Sequence, residues 1–161
     1  MADRLLGNAP PPLQDRVLGD NGMFAPSWRD YLSRLPATLD AIPSRINVVN
    51  LTTQGASLSA TDFSGSSLLA GLYRATWYAR ITRAGSSSSC LTVTLGWTDG
   101  GVACTMAGSA LTGNTTATVQ TGTAMIRVDA GTAVTYATTY ASAGGTSMQY
   151  AADVTLEKIK A

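Results

Sequence analysis

The side chains that most often carry catalysis are scarce in this 161-residue chain. It contains no histidine, which supplies the commonest general base and the commonest metal ligand in proteins. Ser-His-Asp, Cys-His and zinc-histidine arrangements are therefore excluded. Gly100-Gly101 is followed by neither a lysine nor a helix signal, both of which a phosphate-binding loop requires. These features predict a protein that is not an enzyme and that holds no metal ion and no cofactor.

Carboxylates are the remaining candidates for catalysis. A glycosidase would need two of them a defined distance apart in a cleft, and a calcium site would need a dense acidic loop. Asp99 lies at a predicted turn and Asp129 at a predicted strand end, where aspartate is favoured for conformational reasons. Structural roles are the favoured interpretation, and a catalytic pair or a calcium site are the alternatives. The acids concerned are Asp62, Asp99, Asp129, Asp153 and Glu157.

The two cysteines, Cys90 and Cys104, lie on opposite arms of a predicted hairpin with Asp99-Gly100 at its turn. This register places Cys104 opposite Leu95 and leaves Cys90 about 16 Å away at the rise of a strand. A disulfide needs Cα atoms within about 7 Å of each other. Both cysteines are therefore predicted to be reduced and buried.

Aromatic residues in the C-terminal part could form a binding surface of a different kind. Rings on a sheet face can stack on sugars, but aromatic residues also fill sandwich cores and subunit interfaces. Tyr78 faces away from the row that contains Trp77, so apolar side chains on both faces of that strand must be buried, one face by the second sheet and the other by a neighbouring subunit. A role in the core or in a subunit interface is favoured over glycan contact. The residues are Tyr73, Trp77, Tyr78, Trp97, Tyr136, Tyr140 and Tyr150.

Charge and proline content divide the chain near residue 45. Residues 1–45 carry nearly half of the charged side chains and all six prolines. The remaining segment is rich in threonine and free of proline, as a sheet with complete hydrogen-bond ladders requires. We therefore predict an arm with a short helix at 1–45 and a β-sandwich domain at 46–161.

The N-terminal part combines an extended segment with one amphipathic helix. Pro10-Pro11-Pro12 can only be extended, Pro26 suits the first turn of a helix, and Pro36 is predicted to end that helix. A helix of about ten residues is not stable alone in water, so its apolar face must dock, either on its own domain or on another protein. The preceding arm favours the second option. The face consists of Trp28, Tyr31, Leu32 and Leu35.

From Ile46 onward, apolar residues recur with the two-residue period of strands. About eight to ten short strands separated by turn signals are typical of a sandwich. The predicted fold class is mainly β, an antiparallel jelly-roll-like β-sandwich preceded by an extended arm and one short α-helix. The predicted strands are 46–52, 56–62, 72–83, 91–98, 102–106, 115–120, 123–129, 134–141 and 148–159.

Net charge and hydropathy restrict the kinds of partner that this protein is expected to bind. The net charge of +1 offers no electrostatic attraction for nucleic acid, and no apolar stretch approaches the ~20 residues of a membrane span. Neither a nucleic acid nor a membrane is expected as a partner. The N-terminus lacks the pattern of a secretory signal, so we expect the chain to fold in the cytoplasm in which it is made.

Several motifs together resemble those of small phage structural proteins, whose trimeric jelly-roll heads are similar to tumour-necrosis-factor-like and complement-type globular heads. The N-terminal motif, Pro12-Leu13-x-Asp15 followed by Pro26-Ser27-Trp28, is similar to attachment segments of phage fibres. The β-strand motifs are Gly71-Leu72-Tyr73-Arg74, Tyr78-Ala79-Arg80-Ile81-Thr82, Leu91–Asp99, Val134–Tyr140 and Met148-Gln149-Tyr150.

The resemblance implies a homotrimer located in the virion, a head fibre or capsid decoration subunit whose N-terminus binds capsid, portal-neck or tail proteins. The alternative is a tail or collar fibre module that contacts host surface glycans. The implied anchoring residues are Pro12, Leu13, Asp15, Pro26, Trp28, Tyr31, Leu32 and Leu35.

Overall fold

A computed structural model describes residues 23–39, 44–65 and 68–160 of the chain. The chain divides into two compact units, Met1–Ile42 and Pro43–Ala161. The boundary expected after Arg45 falls just inside the first strand, which begins at Ser44. No helix in the described part of the chain is long and apolar enough to cross a membrane.

The N-terminal unit contains the helix α1, Pro26–Leu39. Pro26 occupies its first turn, where the missing N–H costs no hydrogen bond, and the Arg29 N–H donates to the Ala25 carbonyl at 2.9 Å. The prediction that Pro36 ends the helix is wrong, because α1 continues to Leu39. A proline inside a helix removes one hydrogen bond to the preceding turn, and the helical backbone can continue beyond that gap.

The C-terminal unit is built from strands. The nine strands in the described residues are β1 Ser44–Gln54, β2 Leu58–Asp62, β3 Gly71–Arg83, β4 Ser89–Asp99, β5 Val102–Ala107, β6 Leu111–Thr112, β7 Val119–Val128, β8 Thr135–Ser142 and β9 Gln149–Lys160.

These strands form two antiparallel sheets. The first sheet has the order β1-β9-β3-β7, and the second has the order β2-β8-β4-β5, with β6 paired to β4 beside β5. Most connections pass from one sheet to the other, and only β4, β5 and β6 follow one another within a sheet. This arrangement confirms the predicted fold class, a mainly β, jelly-roll-like antiparallel sandwich with one short helix.

The core lies between the sheets and follows the two-residue period of the strands. In β3 the inward row is buried and the outward row is partly or fully exposed, as predicted. The same alternation in β4 and β9 supplies the facing halves of the core. The buried row of β3 is Tyr73, Ala75, Trp77, Ala79 and Ile81.

The hairpin between β4 and β5 turns at Gly100-Gly101, with Asp99 paired to Val102. Both glycines have positive φ, 59° and 76°, as a two-residue type I′ turn requires. A turn at Asp99-Gly100 would force aspartate into the left-handed region, whereas glycine adopts it freely.

The turn position changes the environment of both cysteines. Cys104 pairs with Trp97, and not with Leu95 as predicted. Both thiols are free, but the prediction that both are buried is wrong: Cys90 is exposed and Cys104 half-buried. Cys90 lies on the outward row of β4, because its neighbour Leu91 faces the core.

A chain of hydrogen bonds connects β8 and β9 to the segment between β1 and β2. The hydroxyl of Tyr150 donates to the Ala56 carbonyl at 2.9 Å, so the Thr138 hydroxyl must donate to the Tyr150 oxygen, 2.6 Å away. The Thr138 oxygen in turn accepts the Leu58 N–H at 3.0 Å. Burial raises the pKa of Tyr150. Its hydroxyl therefore stays protonated and can donate the hydrogen bond to the Ala56 carbonyl.

Thr138→Val should lower the free energy of unfolding by about 1–3 kcal/mol, because it leaves the partly buried Leu58 N–H without an acceptor and the buried Tyr150 oxygen without a donor. Thr139→Val is the matched control, since Thr139 is exposed on the other side of β8 and its replacement should have little effect. Urea denaturation of both variants measures the difference. Equal midpoints for the two variants would contradict the hydrogen-bond chain.

Candidate functional site

Two of the acids considered for catalysis hold backbone turns. The Asp62 carboxylate accepts hydrogen bonds from the Ser64 N–H at 2.7 Å and from the Ser64 hydroxyl at 2.6 Å. The Asp129 carboxylate accepts the N–H groups of Gly100 and Gly101 at 3.1 and 2.7 Å and so caps the β4–β5 turn. Both carboxylates satisfy backbone N–H donors, Asp62 within its own turn and Asp129 in a hairpin distant in sequence, which is a structural role.

The other acids lie along the strands. Asp153 accepts a hydrogen bond from the Asn50 amide at 2.5 Å, and Glu157 forms an ion pair with Arg74, whose Nε lies 2.9 Å from the carboxylate. Asp99 ends β4 at the hairpin. The described residues contain no group of three or more His, Cys, Asp or Glu side chains placed to hold a metal ion.

Six of the seven aromatic residues considered for binding contact the core. Tyr73, Trp77, Tyr136 and Tyr150 are buried, and Trp97 and Tyr140 are partly buried against them. Three hydroxyls donate to backbone carbonyls: that of Tyr150 to Ala56, as described above, that of Tyr73 to Leu69 at 2.7 Å and that of Tyr140 to Met148 at 2.9 Å. Burial also raises the pKa of Tyr73. These rings do not form an exposed stacking surface.

Tyr78 differs from the other six aromatic residues, because it is 39% exposed and faces away from the core. It belongs to a surface that we call the outer face, the solvent side of the sheet β1-β9-β3-β7. The large hydrophobic residues exposed on the outer face are Val48, Leu72, Tyr78, Val119 and Met125. Between them lie threonines and the Arg74–Glu157 ion pair.

The two solvent-facing sides of the sandwich differ in the large hydrophobic residues that they expose. On the opposite side, the outward rows of β4 and β8 contain threonine, alanine, glycine and Cys90, with no exposed large hydrophobic residue among those described. Most residues of the outer face were not predicted as interface residues. The outward rows of β1 and β7 are mostly polar and contain Val48, Val119 and Met125 as isolated large hydrophobic residues, so little in the sequence signals this surface.

The predicted anchoring residues are only partly described. Pro12, Leu13 and Asp15 lie outside the described residues. Pro26, Trp28, Tyr31, Leu32 and Leu35 all fall within the bounds of α1, and their anchoring role stays a prediction.

Within α1, the rings of Trp28 and Tyr31 meet edge to face with centroids 6.0 Å apart. Leu32 is exposed, as is Phe24 just before the helix. Asp30 and Arg34 form an exposed ion pair at 2.7 Å, of the kind that adds little stability.

A cleft lies at one open edge of the sandwich, between β7 and the segment that includes the end of β5. Its volume is 460 Å³. Gly122 in β7 leaves room for Trp77, because a Cβ at this position would lie 1.9 Å from the Trp77 ring atom Cζ2. The lining residues are Trp77, Met106, Ala107, Gly108, Ser109, Val119, Gln120, Thr121, Gly122 and Thr123.

Fold and surfaces together define a jelly-roll-like β-sandwich with one apolar-rich outer face and one edge cleft.

No family model matches the chain, and no curated protein matches it. Eiger TNF from S. frugiperda is similar in structure over 73% of this chain and 95% of its own, at 9% identity and a TM-score of 0.37. Infectious bursal disease virus Gx strain is similar over 72% of this chain and 28% of its own, at 15% identity and a TM-score of 0.35. Neither likeness bears on function.

Proposed function

We propose that this protein is a structural subunit of a phage particle and not an enzyme. Its role is that of a trimeric head fibre or capsid decoration subunit, anchored by its N-terminal part, with the sandwich directed outward. The proposal rests on a difference between the two solvent-facing sides of the sandwich in the large hydrophobic residues that they expose. Large hydrophobic residues are exposed on the outer face, and the outward rows of β4 and β8 have none among the described residues. Val102 and Met106, which are exposed in the same sheet as β4 and β8, lie on its edge strand β5. Such a difference marks a surface that another protein covers.

A second copy of the same chain is the partner that we propose for the outer face. The motifs that resemble phage fibre heads imply three copies. In a ring of three, each contact is heterologous, so the outer face of one copy meets a different surface of the next. The Arg74–Glu157 pair satisfies two charges within each subunit, which lowers the cost of covering this face.

The N-terminal unit supplies the proposed anchor. Its helix α1 exposes Leu32, and Phe24 is exposed just before it. Such side chains suit a hydrophobic socket on a second virion protein. The partner would belong to the capsid, portal-neck or tail.

Val48→Glu should weaken the trimer about tenfold in dissociation constant, because burying an unpaired carboxylate in the interface is unfavourable. Val48 is exposed within one subunit, so the substitution should leave folding intact. Thr139→Glu places the same charge at an exposed position on the opposite side of the sandwich and is the control. Sedimentation equilibrium at several concentrations measures the effect. Identical association of both variants and the parent would refute the outer face as an interface.

Locating the protein in a reconstruction of the purified particle tests the function itself. We expect three-fold density for the sandwich outside the capsid shell, joined to the shell by the N-terminal part. Absence of the protein from purified particles, judged by mass spectrometry, would refute the proposal.

The edge cleft favours a second candidate function. A tail or collar fibre module that contacts host surface glycans would need a concave site for a sugar, and the cleft has a suitable size. Density at the tail or collar in the same reconstruction would favour this role over head decoration.

A further inference from the structure

Strand β5 carries a row of side chains that lies on the core side of its sheet but is not covered by the core. Met106 pairs with Leu95 of β4, and opposite residues of an antiparallel pair share a face, so Met106 lies on the same side as the fully buried Leu95. Val102 lies four residues away and therefore on that side as well. Met106 is nevertheless 40% exposed and Val102 63% exposed. The sandwich is open along β5.

The cleft of 460 Å³ between β5 and β7 is part of this opening. The inward row of β7 consists there of Gln120 and Gly122, which contribute no large apolar side chain to close the gap. Met106 and Val119 line the cleft, and none of the described lining residues is charged. The cleft therefore suits an uncharged and largely apolar side chain that comes from outside the subunit.

We call the surface formed by this cleft and by Asp99, Val102 and Met106 the open edge. It adjoins the outer face, because β7 borders the cleft and also carries part of the outer face. A ring of identical copies needs two different surfaces on each copy. Two adjoining surfaces allow successive copies to close around an axis, whereas surfaces on opposite sides would extend an open chain.

The open edge and the outer face each carry one charge without an ion-pair partner among the described residues. Asp99 pairs with Val102 across the hairpin and so belongs to the open edge. Arg127 is exposed on the outer face, where it pairs with Leu72 of β3. The two charges are opposite, so contact between the open edge of one copy and the outer face of the next would bring complementary charges together.

The two charges lie near the same end of the sandwich. Asp129 follows Arg127 by two residues, and its N–H donates to the carbonyl of Thr98, the neighbour of Asp99, at 3.0 Å. A rotation about a threefold axis parallel to the strands keeps every residue at its own level along the strands. Such a rotation would place Arg127 of one copy beside Asp99 of the next.

The same rotation matches Tyr78 to the cleft. Tyr78 is the aromatic residue of the outer face, and it pairs with Thr121, which lines the cleft. Tyr78 and the cleft therefore lie at one level along the strands. Its ring is uncharged and apolar, as the lining by Met106 and Val119 requires, and its hydroxyl has the exposed hydroxyl of Ser109 as a partner.

We propose that the outer face of each copy covers the open edge of the next copy, with Tyr78 in the neighbour's cleft and Arg127 beside the neighbour's Asp99. The proposal rests on the proposed homotrimer and names the second surface of each contact. It also buries Val102 and Met106, which one subunit leaves exposed. A cleft filled by Tyr78 is not free for a sugar, so this arrangement disfavours glycan binding at that place.

Charge reversal in the full-length protein tests the pairing of the two surfaces. Asp99→Arg and Arg127→Asp should each weaken the trimer at least about tenfold in dissociation constant, because like charges then meet at every contact. The double variant exchanges the two charges and should associate to within about threefold of the parent. Asp99→Arg with Arg80→Asp is the matched control, since Arg80 lies on the outer face at the level of Val119 and should give no recovery. Sedimentation equilibrium measures all four variants.

Tyr78→Ala tests the cleft contact without changing any charge. It should weaken the trimer at least about tenfold, because buried aromatic side chains dominate the energetics of interfaces. Tyr78 is exposed within one subunit, so the variant should stay folded, which near-ultraviolet circular dichroism checks. Tyr31→Ala makes the same change on α1 and should leave association unchanged.

Three results would each overturn this pairing of surfaces: no recovery in the double variant of Asp99 and Arg127, equal recovery in the Arg80 control, or undiminished association of Tyr78→Ala. The proposed trimer is tested separately. Val48→Glu would still weaken association if the outer face met another part of the neighbour, and the trimer would then stand without this pairing. A parent protein that stays monomeric would refute the trimer itself.

Discussion

Deletion of residues 1–42 is expected to abolish incorporation of the protein into phage particles while leaving the sandwich folded. All residues of the hydrophobic core, from Phe63 to Leu156, belong to the C-terminal unit. The cut after Ile42 keeps β1 complete, including the pair between Ser44 and Lys158. The free energy of unfolding of the sandwich should therefore change by less than about 1 kcal/mol. Quantitative mass spectrometry of purified particles measures incorporation.

A substitution in the full-length chain separates loss of the anchor from any effect of shortening. Leu32→Glu places a charge on the apolar face of α1 and should reduce incorporation at least about tenfold if this face docks into an apolar socket. Ser33→Ala is the control on the same helix, because Ser33 is exposed and its hydroxyl donates to the Asp30 carbonyl within the helix. Truncated protein present on particles at the parent level would show that the anchor lies elsewhere.

Gly122→Ala is expected to destabilise the sandwich by about 3 kcal/mol, the largest effect of a single methyl group that we predict. The added Cβ would lie 1.9 Å from Trp77 Cζ2 and 2.2 Å from Cη2, well inside van der Waals contact. Trp77 is 5% exposed and belongs to the core, so relief requires the whole indole to move. Overpacking of this kind costs about 1–3 kcal/mol and more when a large side chain is displaced. Thermal and urea denaturation measure the loss.

A double-mutant cycle tests whether the indole is the cause. Trp77→Phe removes the ring atoms that meet the new methyl group, so Gly122→Ala should cost much less in that background. Gly55→Ala is the control, because nothing lies within 4 Å of a Cβ at that position. Equal costs of Gly122→Ala beside tryptophan and beside phenylalanine would contradict the packing of Trp77 against Gly122.

Gly122 also explains one error in the predicted strands. A break between the predicted strands 115–120 and 123–129 matches the usual reading of Thr121-Gly122 as a turn. The structure instead has one strand, β7, that runs through Gly122 and pairs it with Trp77 of β3. Glycine is needed at this position because the Trp77 ring of the neighbouring strand leaves no room for a Cβ, and not because the chain turns here. Trp77 is distant from Gly122 in sequence, so the requirement is not visible locally. Glycine inside a strand often marks such a close approach.

Local chemistry made much of the fold predictable. The alternation in β3 assigns Tyr73 and Trp77 to the core and Tyr78 to the surface, because successive side chains of a strand face opposite sides. The glycine pair of the hairpin indicates a two-residue turn, since only glycine accepts positive φ at both positions without strain. The turn lies one residue beyond the predicted Asp99-Gly100, because glycine at both central positions meets the φ requirement, and this moved the partner of Cys104 from Leu95 to Trp97.

The sequence by itself determined the fold class, because periodicity, turn residues and the lack of proline beyond residue 43 are local properties of the chain. The same holds for the absence of histidine, since a residue type that is absent cannot be assembled by folding. Only the tertiary structure decided that Val48, Leu72, Tyr78, Val119 and Met125 lie on the same face, that Asp129 caps a distant hairpin, and that Trp77 and Gln120 line the same cleft. Each depends on strand order and pairing between segments far apart in the chain, and no local pattern encodes that pairing.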